Sequence, residues 1–348
     1  MSSPSSSLAR AERRRKPSTA FRTNGKKSLA LSTSEGTSTR GRLPTPPGTG
    51  GPAPRQQRRT RDSTAHRLFI APSILSLVVL GLYPLIFIVL TALSESSLGR
   101  PFQEWVGTAN FEAALGDEDV VASLVRNTIY ALLVSAASVV LGVATAVALF
   151  RSARSGALIR TLLLLPMITP PVVVGILWKL IFNPSGGLFN TVLTFFGYSG
   201  DPVSVLASPT FALVGVAIAD VWEWSPLIAL LVFAALLGQD PEVTEAAALD
   251  GAGGFRLFTQ ITLPAVAGTI AAAFLIRIVL AFKVFDLVYI MTAGGPGQST
   301  TVPAYLIYQA ALQQFDLGRA GTITVLLAIV VTVVTLPIVA LTRRLHND

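Results

Sequence analysis

The sequence contains no cysteine, which excludes disulfides and thiolate-ligated metal sites. Its two histidines, His66 and His346, fall outside every long apolar run, so neither an intramembrane histidine relay nor a His-ligated metal is available. Charge is scarce as well: Asp, Glu, Lys and Arg make up 13% of the 348 residues, where a soluble domain carries about 25% to keep its surface wetted. Hydrophobic residues reach 51%. Much of the surface is therefore expected to face lipid. No nucleophile, metal cluster or acid–base pair stands out near a membrane interface, so no catalytic or metal-binding residue is assigned.

The charge that exists is unevenly placed. Residues 1–67 hold 15 of the 27 Lys and Arg against three acids (Glu12, Glu35 and Asp62), whereas the rest of the chain holds 12 against 16. This segment is rich in Ser, Thr, Pro, Gly and Arg and poor in large apolar residues, so it cannot bury enough surface to offset ordering. Residues 1–66 are read as a disordered, basic cytoplasmic tail that helps orient the first span and touches anionic lipid heads; an over-long start is the other reading. It is too long for a signal peptide, and no nucleic-acid-binding fold accompanies its charge.

Residues 67–348 hold six runs long enough to cross about 30 Å of hydrocarbon as helices: Leu68–Leu93, Thr128–Phe150, Leu158–Phe182, Phe211–Leu237, Ala265–Met291 and Gly321–Leu341. The basic residues set the orientation. Arg151, Arg154 and Arg160 flank the second connection, Arg343 and Arg344 end the chain, and loop 183–210 has no Lys or Arg. Loop 94–127 offers only Arg100 and Arg126 among six acids. Both termini are expected in the cytoplasm of a multi-pass protein of the cytoplasmic membrane. Pro166, Pro170 and Pro171 must disturb span three, either as a packing kink or as a break beside a pathway. Gly142 and Ala146 form a small-xxx-small pair that would let helices approach closely.

Charges inside apolar helices are costly and face a bundle interior or a wet cavity. Asp220 and Glu223 lie in span four; Arg277, Lys283 and Asp286 lie in span five. Counting from the outer helix ends puts Glu223 level with Arg277 and Asp220 near Lys283, with Lys283–Asp286 as a rival contact. These five are read as structural ion pairs or as lining for a translocation path. Trp178, Trp222, Trp224 and Tyr289 have faces on which a sugar ring could stack, although packing and interfacial roles are commoner for such rings.

The connection between spans four and five, residues 240–264, has a helix grammar of its own. Asp240 suits an N-cap, Pro241 the first helical position, and Glu242 the positive end of the dipole. Ala246 to Leu249 propagate the helix, and Gly251 can take the positive φ that ends it. A second short helix then carries Phe255, Leu257 and Phe258, and Pro264 opens span five. The predicted product is a compact helix–Gly–helix hairpin whose small-residue surface another protein's groove could receive.

Glu245-Ala246-Ala247, then Gly251, then Ile261-Thr262-Leu263-Pro264 matches the EAA signature of the permeases of binding-protein-dependent ABC importers, including the Leu249-Asp250-Gly251-Ala252 core of sugar permeases. Two further stretches resemble the same family: Leu165-Pro166 through Phe182-Asn183-Pro184, and Phe282-Lys283-Val284-Phe285-Asp286 through Gly294-Gly295-Pro296. The resemblance spans about residues 66–345. It implies an all-α type I importer fold of six spans, in which two permeases, here expected as a heterodimer, form the path for sugar uptake. It further implies two ABC ATPase subunits, which use ATP and Mg where this chain binds no cofactor, and an extracytoplasmic solute-binding protein. By the same resemblance the hairpin is a coupling helix, with Glu245, Ala246, Ala247, Asp250 and Gly251 at the ATPase.

The chain departs from the maltose permease in lacking its large external insertion and extra N-terminal spans. It looks more like the six-span disaccharide, oligosaccharide and glycerol-phosphate permeases, so a polyol, glycerol phosphate or other small polar solute stays open as the cargo. An ion-coupled secondary transporter is the alternative class, but it gives no reason for the hairpin. Gly25-Lys26-Lys27-Ser28 is no P-loop, lacking the upstream glycine spacing and a strand–helix context, so ATP must be hydrolysed by a separate subunit.

Overall fold

A computed structural model describes residues 63–152 and 157–347. The basic tail expected at 1–66 lies, except for its last four residues, outside the described residues. Lipid offers no partner for backbone N–H and C=O groups, so each apolar run closes its hydrogen bonds within a helix. Among the described residues, four helical runs are long and apolar enough to cross a bilayer: Ile70–Ala92, Glu118–Arg151, Ala212–Leu237 and Leu317–Ala340. Two bent helix pairs complete a set of six.

The first span joins α1 (Ser63–Leu77), a five-residue π-helical segment (Val78–Leu82) and α2 (Tyr83–Ala92). Pro84 lacks an N–H and its ring crowds the carbonyl four residues back, so the turn before it widens. An antiparallel hairpin of β1 (Ser94–Ser97) and β2 (Arg100–Trp105) follows, then the short helix α3 (Ala109–Gly116). Asn110 Nδ2 holds this turn by donating to the Ala92 and Ser94 carbonyls, at 3.1 Å each.

Helix α4 (Glu118–Arg151) starts ten residues before the Thr128 read from hydropathy. Its opening turns are polar: Asp117 caps the helix by accepting from the Asp119 N–H at 3.0 Å, and Glu118 and Asp119 favour the positive end of the dipole. At 1.5 Å per residue it is about 51 Å long, well beyond the hydrocarbon layer.

Span three is broken. α5 (Ala157–Ile168) and α6 (Pro171–Ile181) meet at 99°, because Pro170 and Pro171 cannot continue the ladder from α5. The short α7 (Leu188–Phe195) leads to α8 (Ala212–Leu237). Then come α9 (Pro241–Leu249) and α10 (Gly254–Leu257). A second π-helical segment (Phe258–Thr262) runs into α11 (Leu263–Ala265) and, across a 65° bend, α12 (Ala267–Ala281). This widened turn also stands just before a proline, Pro264. Span five does not continue as one helix to Met291: the chain turns at Phe282–Phe285 before α13 (Asp286–Met291). Helix α14 (Pro303–Tyr308) and the long α15 (Leu317–Asn347) close the chain.

Helices α4 and α8 form the most extensive pair, with α12 laid against α4 and α15 against α2. A Cβ added at Gly142 would stand 2.6 Å from the Ile228 Cβ, so glycine is what lets α4 and α8 touch there. The buried core runs along this seam through Tyr130, Val134, Val216, Ala219 and Ile278, and continues toward the hairpin end through Ala146, Ile228, Val232 and Leu236. By contrast the opening half of the first span has almost no cover: Leu75, Leu77 and Leu80 are 63%, 76% and 76% exposed. Apolar surface of that extent faces lipid or another chain.

Candidate functional site

Arg277 of α12 has no solvent exposure, and Asp220 and Glu223 of α8 are each 3% exposed. The Arg277 Nη2 donates to Asp220 Oδ2 in an ion pair, and its Nε donates to Ser138 Oγ of α4 at 3.1 Å. One guanidinium therefore joins three helices. Nearby, Asn127 of α4 donates from Nδ2 to the Phe282 carbonyl at 3.1 Å, satisfying an acceptor freed where α12 ends. Glu223 stands one turn from Asp220 with its Oε2 buried and no hydrogen-bond partner among the described residues.

This corrects the expected pairing of Arg277 with Glu223 and of Asp220 with Lys283. Counting from the helix ends treated span five as one straight helix to Met291. With α12 ending at Ala281, Arg277 sits about one turn nearer the far end of the bundle, level with Asp220. Lys283 falls in the turn after α12 and is exposed, and Asp286, at the start of α13, is half-buried. Neither forms an ion pair among the described residues.

The broken span three brings α6 against α13, with Gly175 close to Ile290 and Lys179 Nζ donating to the Ile290 carbonyl at 3.1 Å. Trp178 of α6 meets Trp222 of α8 edge-on at 6.0 Å, and Trp222 is 39% exposed. On α13, Tyr289 stacks on Phe285 at 5.5 Å and meets Tyr308 edge-on at 5.3 Å.

At the other end of the bundle, Asp240 Oδ1 accepts from the Glu242 N–H at 3.0 Å, capping α9 as expected. Gly251 has φ +78°, and the Ala252 N–H donates to the Ala247 carbonyl at 3.0 Å, which closes the helix in a Schellman turn. A Cβ at Gly251 would meet nothing within 4 Å, so its backbone conformation, and no close approach within this chain, calls for glycine. Glu245, Ala246, Asp250 and Gly251 are exposed, while Ala247 is turned inward and buried. Two apolar side chains stand out on the tip: Leu249 is 90% and Phe255 81% exposed. Arg151 Nη2, at the end of α4, reaches the Gly254 carbonyl at 3.4 Å and ties the hairpin to the longest helix.

Residues 138–347 match the family of inner-membrane components of binding-protein-dependent transport systems. The chain belongs to this permease family. A probable ABC transporter permease protein, y4oQ of Sinorhizobium fredii, is 33% identical over 292 residues, covering 83% of this permease and 93% of the relative. The trehalose/maltose transport system permease protein MalF of Thermococcus litoralis is 30% identical over 261 residues, covering 75% and 86%. The sn-glycerol-3-phosphate transport system permease protein UgpA of Agrobacterium fabrum is 30% identical over 270 residues, covering 77% and 91%. A solved bacterial ABC transporter that imports the acidic polysaccharide alginate contains a chain of the same fold, with TM-score 0.67 and 23% identity over 82% of this permease and 96% of that chain. The protein is thus the membrane-embedded permease of an ABC importer, a transport subunit and not an enzyme.

Ser138, and the exposure of Leu249 and Phe255 beside the expected coupling residues, were not foreseen from the sequence of the permease. Ser138 had a visible signal: Ala131, Ser135, Ser138, Gly142 and Ala146 repeat at helical spacing, and all five are buried against the neighbouring helices. Leu249 and Phe255 had none, since an isolated apolar residue in a short helix reads equally as core.

Proposed function

We propose that this permease pairs with a second permease to carry a neutral sugar or polyol across the cytoplasmic membrane, with its 240–264 hairpin seated in a cleft of a separate ATPase. The observation that carries the coupling role is the hairpin tip: a rigidly closed turn at Gly251 that leaves Leu249 and Phe255 bare while Arg151 braces its second limb. Two ATPase subunits would hydrolyse Mg-bound ATP, and a solute-binding protein would deliver cargo on the face opposite the hairpin. The Lys and Arg distribution supports both termini, and the hairpin with them, lying in the cytoplasm. ATP-driven closure of the ATPases would then swing the helix bundle between inward- and outward-facing states.

A neutral cargo is favoured because the buried cation is already committed: Arg277 is paired with Asp220 and bonded to Ser138, so it offers no free charge to an anionic solute. Trp222 and Tyr289, partly exposed, offer faces for pyranose C–H surfaces. The second reading, glycerol phosphate, draws on the likeness to UgpA and on Lys283, which is exposed and could meet a phosphate. Vesicles containing the permease, its partner permease and the ATPases, supplied with binding protein, should take up labelled trehalose or maltose only with ATP inside. Uptake without ATP would overturn the importer reading; uptake of glycerol phosphate in place of sugar would overturn the neutral cargo.

A further inference from the structure

The short hairpin of β1 and β2 after the first span is not needed to connect α2 to α3, and its outer strand is bare. All six residues of β2 are exposed, among them Phe102 at 44% and Trp105 at 63%, and the turn residue Leu98 is 48% exposed. Its short length, Arg100, Pro101 and Glu104 blunt the strand's edge, yet Phe102 and Trp105 leave two large rings bare, and such rings suit surroundings less polar than water.

Two observations say what those surroundings are. The Phe102 ring meets the Phe87 ring edge-on, with centroids 5.3 Å apart. Phe87 belongs to the first span, five residues before its end at Ala92, which places it about 7 Å inside that end at the rise of an α-helix. The hairpin therefore folds back along its own span and brings Phe102 alongside Phe87, more than a turn before the helix end at Ala92. Around Phe87 the span presents Tyr83, Ile86 and Leu90 outward, at 66%, 46% and 38% exposure.

The fold-back is held in place. The Phe102 N–H donates to Ser96 Oγ at 2.9 Å, Ser96 Oγ meets Ser94 Oγ at 2.8 Å, and Gln103 Nε2 donates to Ser97 Oγ at 3.1 Å. The Leu98 N–H donates to the Phe315 carbonyl at 3.0 Å, fixing the tip to the loop before α15.

We propose that this hairpin is an interfacial anchor, lying in the headgroup region of the leaflet at which α2 ends, with Leu98, Phe102 and Trp105 in contact with lipid. Rings with an apolar body and a polar edge suit that layer. Arg100, exposed at the turn and without an ion pair among the described residues, is placed to meet lipid phosphate. The anchor would add to the packing of α2 on α15 in fixing the depth and rotation of a first span whose opening half is bare.

Because the chain has no cysteine, single nitroxide labels can be placed at will in the full transporter, reconstituted in phosphatidylglycerol-containing vesicles. Labels on Phe102→Cys and Trp105→Cys should collide with oxygen severalfold more than with a water-soluble nickel chelate, and the ratio should reverse for Glu112→Cys on α3. Glu104→Cys, at an exposed position whose side chain makes no ion pair among the described residues, should lie between them and guards against misfolding of the aromatic variants. Free access of nickel to positions 102 and 105 would overturn the proposal. Protection of both from either agent, as under a second permease, would overturn it too, and so would immobilisation only when the binding protein is added.

Discussion

Arg277 and Asp220, with side chains 0% and 5% exposed, form an ion pair that fastens α12 to α8 at the centre of the bundle. A buried pair contributes little net stability, yet removing one partner strands a charge in a poorly solvating interior. Asp220→Leu alone is expected to cost about 3–5 kcal/mol, whereas Asp220→Leu with Arg277→Met should recover most of that loss. Thermal unfolding of the purified transporter checks this. A double variant no more stable than the single one would rule out the pairing. Charge exchange between Glu223 and Arg277 should give no rescue, because Arg277 is committed to Asp220 and Ser138.

Gly142 gives a packing test. Its added methyl would stand 2.6 Å from the Ile228 Cβ and 3.0 Å from the Ala229 backbone nitrogen. Overpacking of this kind costs about 1–3 kcal/mol. Gly142→Ala should therefore lower the unfolding temperature, and Ile228→Ala in the same chain should not restore it, because alanine keeps the Cβ that the added methyl meets. An unchanged melt for Gly142→Ala would mean that α4 and α8 stand farther apart.

The two ends of the hairpin's glycine stretch should respond differently. Gly251 has φ +78°, where a side chain costs about 1–2 kcal/mol in strain, while Gly253 has φ −64° and open space around it. Gly251→Val should release the ATPase on co-purification and abolish uptake; Gly253→Ala should leave both near normal. Equal behaviour of the two variants would remove the Schellman turn from the coupling account.

Leu249 and Phe255 carry a prediction about contact and not folding. Both are almost fully exposed, so Leu249→Asp and Phe255→Asp should leave the unfolding temperature of the isolated permease unchanged. Each should weaken ATPase binding by at least tenfold, about 1.4 kcal/mol, when measured by titration. Undiminished binding in both would place the docking surface elsewhere.

The apolar runs determined the six crossings and their order, because a backbone in hydrocarbon has no choice but a helix. The hairpin was legible for a related reason: Asp240, Pro241 and Gly251 act on their own backbone neighbours, and local chemistry survives without knowledge of the rest of the chain. Three-dimensional contact decided what distance along the chain could not supply. The 99° break at Pro170, the end of α12 at Ala281 and the fold-back of Phe102 onto Phe87 each depend on how segments stack. A shift of one helical turn at Ala281 was enough to give Arg277 to Asp220 instead of Glu223. Side-chain partners in a helix bundle are set by relative depth and rotation, and those are properties of the packed whole.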